Sequence, residues 1–288
     1  MRALPSEISV EFDLDEPSDE AHQRKRVAGA LHISESELPG IELRKRSIDA
    51  RRGRVRFHLL FEIGPQSEEG EPSLPLREVG RAKAIIVGDG PAGLFCAYEL
   101  ARHGVGSIVI DRGKTVQPRR HDLAALNKEG VVDADSNYCF GEGGAGTYSD
   151  GKLYTRAHKR GNVRDVIEIL ASHGAPEAIL TDARPHIGSN RLPQVVTGLR
   201  EALEAVGVQF RFGARMTDLV IDPRDRSVRG VRLADGDEVR GDFVVLATGH
   251  SAADVYSMLA AAGVRLEAKS FALGVRIEHP QALINKIQ

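Results

Sequence analysis

The sequence predicts an α/β chain: a Rossmann-like domain carrying a three-stranded meander, preceded by a small α+β domain. Three observations carry this reading. Residues 84–87, Ala-Ile-Ile-Val, are a continuous apolar run of the kind buried on both faces of a parallel sheet, and a glycine-rich turn follows at once. Residues 7–63 instead alternate apolar and polar side chains with a period of two, on either side of one helical stretch. Between 64 and 81, Gly, Pro, Ser and Glu dominate and no apolar period survives, as expected of a linker.

In the first domain, Ile8, Val10, Phe12 and Leu14 share one face of a half-buried strand over 7–14. Ser18 is the expected N-cap of a helix reaching Leu31, with Ala21, Val27, Ala28 and Leu31 along it. A second strand is expected over 41–50. After the turn Arg51-Arg52-Gly53, a third alternates Val55, Phe57, Leu59, Phe61 and Ile63. This β-α-β-β unit over 1–63 has the size of a small ferredoxin-like domain. In the second domain, expected over 82–265 with an inserted segment at 115–190, the buried strand 84–87 leads through the glycine turn into a helix ending near His103. A second buried strand follows at 107–110. Pro193 opens a helix with Val196, Leu199, Leu203 and Val206 on its inner face. Three short strands, 218–221, 228–233 and 238–240, are separated by the turn signals Pro223-Arg224-Asp225 and Asp235-Gly236. A last buried strand covers 243–247.

Composition removes several function classes. The chain has 288 residues, room for about two domains. With 41% hydrophobic and 28% charged residues it has ordinary globular usage, which excludes collagen-like, coiled-coil and disordered classes. A net charge of −2 argues against a global field for nucleic acid or membranes. The longest apolar runs fall far short of a membrane span, and residues 1–7 lack the apolar run of a secretory signal. Two cysteines, Cys96 and Cys139, are too few for a disulfide scaffold or a metal-ligand pair. These features together predict a reduced, cytoplasmic protein.

Gly88-Asp89-Gly90-Pro91-Ala92-Gly93 fits G-x-G-x-x-G between a strand and a helix. The first glycine permits the tight turn, the second lets a pyrophosphate approach the backbone, and the third lets helix and strand pack closely. Free N–H groups and the positive end of the helix dipole then face the phosphates. Asp111 stands 23 residues after Gly88, where a carboxylate can accept hydrogen bonds from ribose hydroxyls. Nucleotide binding is the expectation. An NAD dehydrogenase continues directly into further βα units. Here a long excursion is followed by the meander and then by Ala247-Thr248-Gly249, which resembles the FAD domain of two-dinucleotide-domain flavoproteins. Asp111-Arg112-Gly113 resembles their acid-Arg continuation, so FAD is expected over NAD.

The middle glycine cluster, Phe140 to Leu153, places Gly141, Gly143, Gly144 and Gly146 within six positions, a backbone able to lie against a flat ring or a phosphate. The comparable region of flavoprotein disulfide reductases carries a cysteine pair, and none is present. Gly143 to Leu153, Pro185 to Leu192, Ala247 to Ala252 and Gly274 to Pro280 together resemble a bacterial family of FAD-dependent dehydrogenases with an N-terminal ferredoxin-like domain, over nearly the whole chain. The resemblance implies that Gly88, Gly90, Pro91, Ala92, Gly93, Asp111, Arg112, Gly143, Gly144, Ala145, Gly146, Thr147, Thr248 and Gly249 line FAD. Family members are much longer, so the chain is expected to be truncated at its C-terminus. Residues 266–288 are read as the start of a substrate domain, with a strand over 271–279.

Two residues are candidates for the chemistry. Lys152 follows the glycine loop, and a cation ~4 Å from a reduced-flavin anion is worth up to ~4 kcal/mol at an effective dielectric near 20; the alternative is a solvated loop lysine. His250, after Thr248-Gly249, has a reference pKa of ~6.5 suited to proton transfer, the alternative being a helix cap. Cys139 reads as a small buried thiol. Asp133, Asp135 and Asn137 begin a Ca²⁺ loop, but Tyr138 and Gly144 occupy its glycine and twelfth-carboxylate positions and the motif fails. The expected function is an FAD-dependent oxidoreductase exchanging hydride with a small organic substrate, with NAD(P)H or a redox partner as second donor. The alternative is a nucleotide- or RNA-binding module whose basic hairpin (Arg44-Lys45-Arg46, Arg51-Arg52-Gly53-Arg54) makes the contact; a solvated hairpin face is the expected reading of those charges.

Overall fold

The computed structural model describes residues 4–51, 54–64, 75–155, 161–275 and 277–287. Part of the expected turn (52–53), most of the linker (65–74) and Arg276 lie outside them. The chain divides into two compact units, Met1–Ala252 and Ala253–Gln288.

The first unit opens with β1 (Glu7–Asp13), α1 (Glu20–Leu31), β2 (Ile41–Asp49) and β3 (Arg56–Ile63). The strands form an antiparallel sheet in the order β1-β3-β2, with β3 inserted between the two strands that the helix connects. Val10 and Phe12 of β1, Leu59 and Phe61 of β3, Val27 and Ala28 of α1, and Leu38 make a small core of their own. The first strand stops at Asp13 and leaves Leu14 56% exposed, correcting the expectation that it shares the buried face. Asp19, and not Ser18, caps α1: its Oδ1 accepts from the His22 N–H at 3.0 Å. Two arginines of the basic hairpin, and the neighbouring Arg56, are paired with acids of the same sheet. Arg44 bridges Glu42 and Glu62, Arg51 pairs with Asp49, and Arg56 with Glu11.

The Rossmann-like part follows. β4 (Ala82–Val87), α2 (Pro91–Arg102) and β5 (Gly106–Ile110) are the expected strand–helix–strand unit. After α3 (Val116–Glu129), α4 (Val163–Ser172) and α5 (Leu192–Ala205), the chain adds a strand too short to be seen as a period, β6 (Gln209–Arg211). The meander is β7 (Met216–Ile221), β8 (Val228–Leu233) and β9 (Glu238–Arg240), antiparallel throughout. β10 (Phe243–Leu246) then returns to the parallel sheet, whose order is β10-β4-β5-β6. Ile86, Val109, Ala97 and Ala101 pack against Val195, Leu199 and Leu203 to form the larger core. The β4 run Ala84–Val87 is buried at every position, as a strand covered on both faces requires.

A segment of the insertion returns to the first sheet. The N–H of Arg46 donates to the Thr181 carbonyl at 2.7 Å, and that of Ala183 to the Arg46 carbonyl at 2.8 Å. This is a short parallel bridge on the outer side of β2.

The second unit contains α6 (Ala253–Ala261) and α7 (Gln281–Ile287). The strand expected over 271–279 is absent among the described residues. Phe271, Leu273, Val275 and Ile277 are 69–88% exposed, and among the described residues no neighbouring strand supplies the ladder that an alternating segment needs to become one.

Candidate functional site

Four segments of the first unit converge at the C-terminal ends of β4, β5 and β10, where ligands bind in open parallel sheets. Their approach is set by glycine. Gly88 has φ +106°, and a Cβ there would stand 2.3 Å from the Ala247 carbonyl oxygen. A Cβ on Gly93 would stand 1.9 Å from the Gly88 oxygen, so the fingerprint turn and the first turn of α2 can close only without side chains. The second glycine segment closes on the first: a Cβ on Gly144 would lie 2.8 Å from the Gly90 Cα.

The loop is tied through Asp89 and Asp111. The Asp89 N–H donates to Asp111 Oδ2 at 2.9 Å, and the Gly113 N–H to Asp111 Oδ1 at 2.8 Å. Asp111 is 7% exposed, and both its oxygens are engaged by backbone. The Asp89 carbonyl accepts from the Gly143 N–H at 2.9 Å, linking the fingerprint to the second glycine segment. The Asp89 carboxyl is fully buried, and neither oxygen has a hydrogen-bond partner among the described residues. Burial first, then the nearby charges of Asp111 and Glu142, push its pKa well above the usual carboxylate range.

Arg119 of α3 organises the second glycine segment. Fully buried, it donates to the carbonyls of Asn137 (2.9 Å), Tyr138 (3.2 Å), Glu142 (2.8 Å) and Gly144 (2.8 Å). Burial lowers its pKa. Glu142 is 1% exposed; it accepts from the Val116 N–H at 2.6 Å and from Arg200 Nε at 2.7 Å. The Thr147 hydroxyl donates to the Glu142 carbonyl at 2.7 Å, so Thr147 fixes the loop from within. None of Asp89, Arg119, Glu142 or Arg200 stands out in the sequence. A buried arginine in a helix of weak amphipathicity has no periodic signature, and only its setting reveals it.

The remaining expected site residues divide into those on this surface and those apart from it. Gly90 begins α2 with no side-chain cap, and Pro91 and Ala92 at its first turn are exposed, leaving the helix end open to an anion. Ala145 and Gly249 are exposed, while Gly146 and Thr248 are partly so. A Cβ on Gly146 or Gly249 would meet nothing within 4 Å. An uncapped helix end, flanked by a backbone cradle that glycines keep free of side chains, fits a dinucleotide phosphate. The Arg112 guanidinium lies 4.5 Å over the Phe140 ring and 3.8 Å from Asp135. Lys152 is 80% exposed, with Nζ 3.1 Å from Asp150 Oδ2, and His250 is exposed. Cys139 is exposed, correcting its reading as a buried thiol: its N–H is held by Asn137 Oδ1 at 2.8 Å in a surface turn. A separate cleft of about 450 Å³, lined by Arg44, Lys45, Tyr154, Arg164, Ile167 and Asp182 among others, includes none of the fingerprint residues. Among the described residues no helix is long and apolar enough to cross a membrane.

Residues 81–126 match a family described as an FAD binding domain, and residues 5–63 match a domain of unknown function (DUF8436). Over 280 residues the chain is 35% identical to an uncharacterized protein of Clostridium beijerinckii, covering 91% of this chain and 52% of that protein. The chain thus spans about half the length of the curated relative it matches. Among solved structures it is similar to THI4 of Thermovibrio ammonificans (16% identity, TM-score 0.43, 64% of each chain). It is also similar to the GidA-related protein of Thermus thermophilus (19% identity, TM-score 0.34, 59% of this chain and 54% of that one). The segment that matches the FAD binding domain runs from β4 into α3, and so contains the fingerprint, Asp111 and Arg119.

Proposed function

We propose that this chain binds FAD at the junction of the fingerprint and the second glycine segment, and is the flavin-binding part of an oxidoreductase that exchanges hydride with a small organic substrate. One observation carries the reading. The uncapped N-terminus of α2, inside the segment 81–126 that matches an FAD binding domain, opens beside a glycine-lined surface built by 88–93, 143–146 and 247–249. When bound, FAD supplies the hydride-accepting ring, and the protein supplies position and electrostatics. In this reading the N–H groups of Ala92 and Gly93 meet the pyrophosphate. Asp111 acts first as the tie that shapes the turn, since both its oxygens already hold backbone N–H groups. Lys152 and His250 are the proposed charge and proton carrier near the flavin, NAD(P)H or a redox partner is the proposed second donor, and the protein is proposed to work in the cytoplasm. The split β-α-β sheet of residues 7–63 is proposed to be a ferredoxin-like module.

The visible absorption spectrum of the purified chain, followed by heat release and identification of any flavin, tests the proposal. FAD in the supernatant, or saturable uptake of added FAD, is expected. A colourless chain that takes up no FAD sinks the reading for this chain.

A further inference from the structure

We propose that Asp89 closes the phosphate-binding turn only as a neutral carboxylic acid, making it a pH-sensitive latch on cofactor retention. The inference rests on the FAD reading for its binding readout alone. Three carboxyl groups meet beneath the turn, and their hydrogen bonds divide them. Asp111, at the end of β5, accepts two backbone N–H groups. Glu142, in the second glycine segment, accepts the Val116 N–H and the Arg200 guanidinium of α5. Asp89 has full burial and no donor to either oxygen among the described residues. The cation whose charge acts on Asp89, Arg200 of α5, spends its guanidinium on Glu142 and Glu204, and the buried Arg119 of α3 spends its donors on the carbonyls of Asn137, Tyr138, Glu142 and Gly144.

A buried carboxylate without a donor is strongly disfavoured, and two nearby negative charges add to the cost. Of the three groups, Asp89 is therefore the one that holds a proton. When that proton leaves for solvent, the new carboxylate is repelled by Asp111 and Glu142 and must find water. The main chain of the same residue carries the two ties that shape the site, N–H to Asp111 and carbonyl to Gly143. Moving Asp89 outward breaks both and separates the fingerprint from the second glycine segment. Cofactor affinity then falls as pH rises through the ionisation of Asp89, and the fall disappears where residue 89 cannot ionise.

The experiment has two arms, on the full chain. Infrared spectroscopy of the ligand-free protein at neutral pH is expected to show the C=O band of a buried carboxylic acid, absent in Asp89→Asn. FAD affinity, measured by flavin fluorescence from neutral pH up to the alkaline limit of the folded protein, is expected to weaken roughly threefold or more in the wild type and to stay level in Asp89→Asn, which cannot ionise. Equal slopes in the two proteins, or a wild type without the band, overturn the latch. A chain that binds no FAD at any pH refutes the cofactor reading instead. In that case the band, together with loss of Gly143 amide protection at high pH beyond the intrinsic exchange rate, still decides the role of Asp89.

Discussion

The Arg119 guanidinium reaches the Gly144 carbonyl at 2.8 Å from a position with no solvent exposure, anchoring a glycine that touches Gly90 across the site. One cation thus holds a segment whose sequence offers almost no side chains of its own to hold it.

Arg119→Met is expected to destabilise the protein by about 3 kcal/mol, because four buried or half-buried carbonyls lose their donor at once. Denaturant unfolding measures it. Arg119→Lys recovers little, since an ammonium cannot spread over the same fork of acceptors. Wild-type stability in Arg119→Met contradicts the anchoring role.

Gly93→Ala and Gly146→Ala separate folding from binding. The first drives a Cβ to 1.9 Å from the Gly88 oxygen, so the turn must shift, with an expected loss of about 1–3 kcal/mol and of FAD uptake. The second meets nothing within 4 Å and is expected to change stability by less than ~0.5 kcal/mol while weakening FAD binding. Unaltered binding in Gly146→Ala moves the flavin away from this loop.

Thiol labelling discriminates the two cysteines. Cys139 is exposed, while Cys96 lies partly buried in α2 with its pKa pushed up by that burial. Labelling of the folded protein with a disulfide reagent is expected to give one fast and one slow thiol, and Cys139→Ser removes the fast one. Two equal rates contradict this placement.

In the first domain, Glu16 has its pKa lowered to about 2, chiefly by the hydrogen bond from His22, opposed by some desolvation, with Asp13 N–H and Arg26 adding to the lowering. A depressed carboxyl stabilises the folded state above its unfolded pKa, and this contribution is lost as pH falls through about 2. After solvent screening the contribution is about 1 kcal/mol. Glu16→Gln is therefore expected to lower stability at pH 7 by about that amount and to flatten the acid limb between about pH 4.5 and 2. A limb identical to wild type rules the pairing out as a stabilising element.

Lys152→Met is expected to lower the flavin reduction potential, and His250→Gln to alter the pH–rate profile near neutrality. An unchanged potential assigns Lys152 to its surface pair with Asp150, and an unchanged profile removes His250 from proton transfer.

Much of this fold is legible because its elements have periods. The four buried residues of Ala84–Val87, the alternating Leu59 and Phe61, and the meander's turn signals each reflect which sides of a strand are covered. The fingerprint is legible for a different reason: steric contacts at Gly88 and Gly93 admit no other residue without a shift. What the sequence hides is decided by tertiary partners. Arg119 is interior only because four carbonyls turn toward it, and Asp89 looks like any variable position of its motif until its burial is seen. β6 has three residues, too few for a period, and 271–279 alternates without a neighbour to pair with.

The bridge between Arg46 and the 181–183 segment has a consequence for how the chain is made. β2 is an outer strand, and its free N–H and C=O groups are a template for pairing with other chains. The segment that occupies part of that edge is encoded more than a hundred residues downstream, so during synthesis the first domain emerges with its flank bare until the insertion has been made.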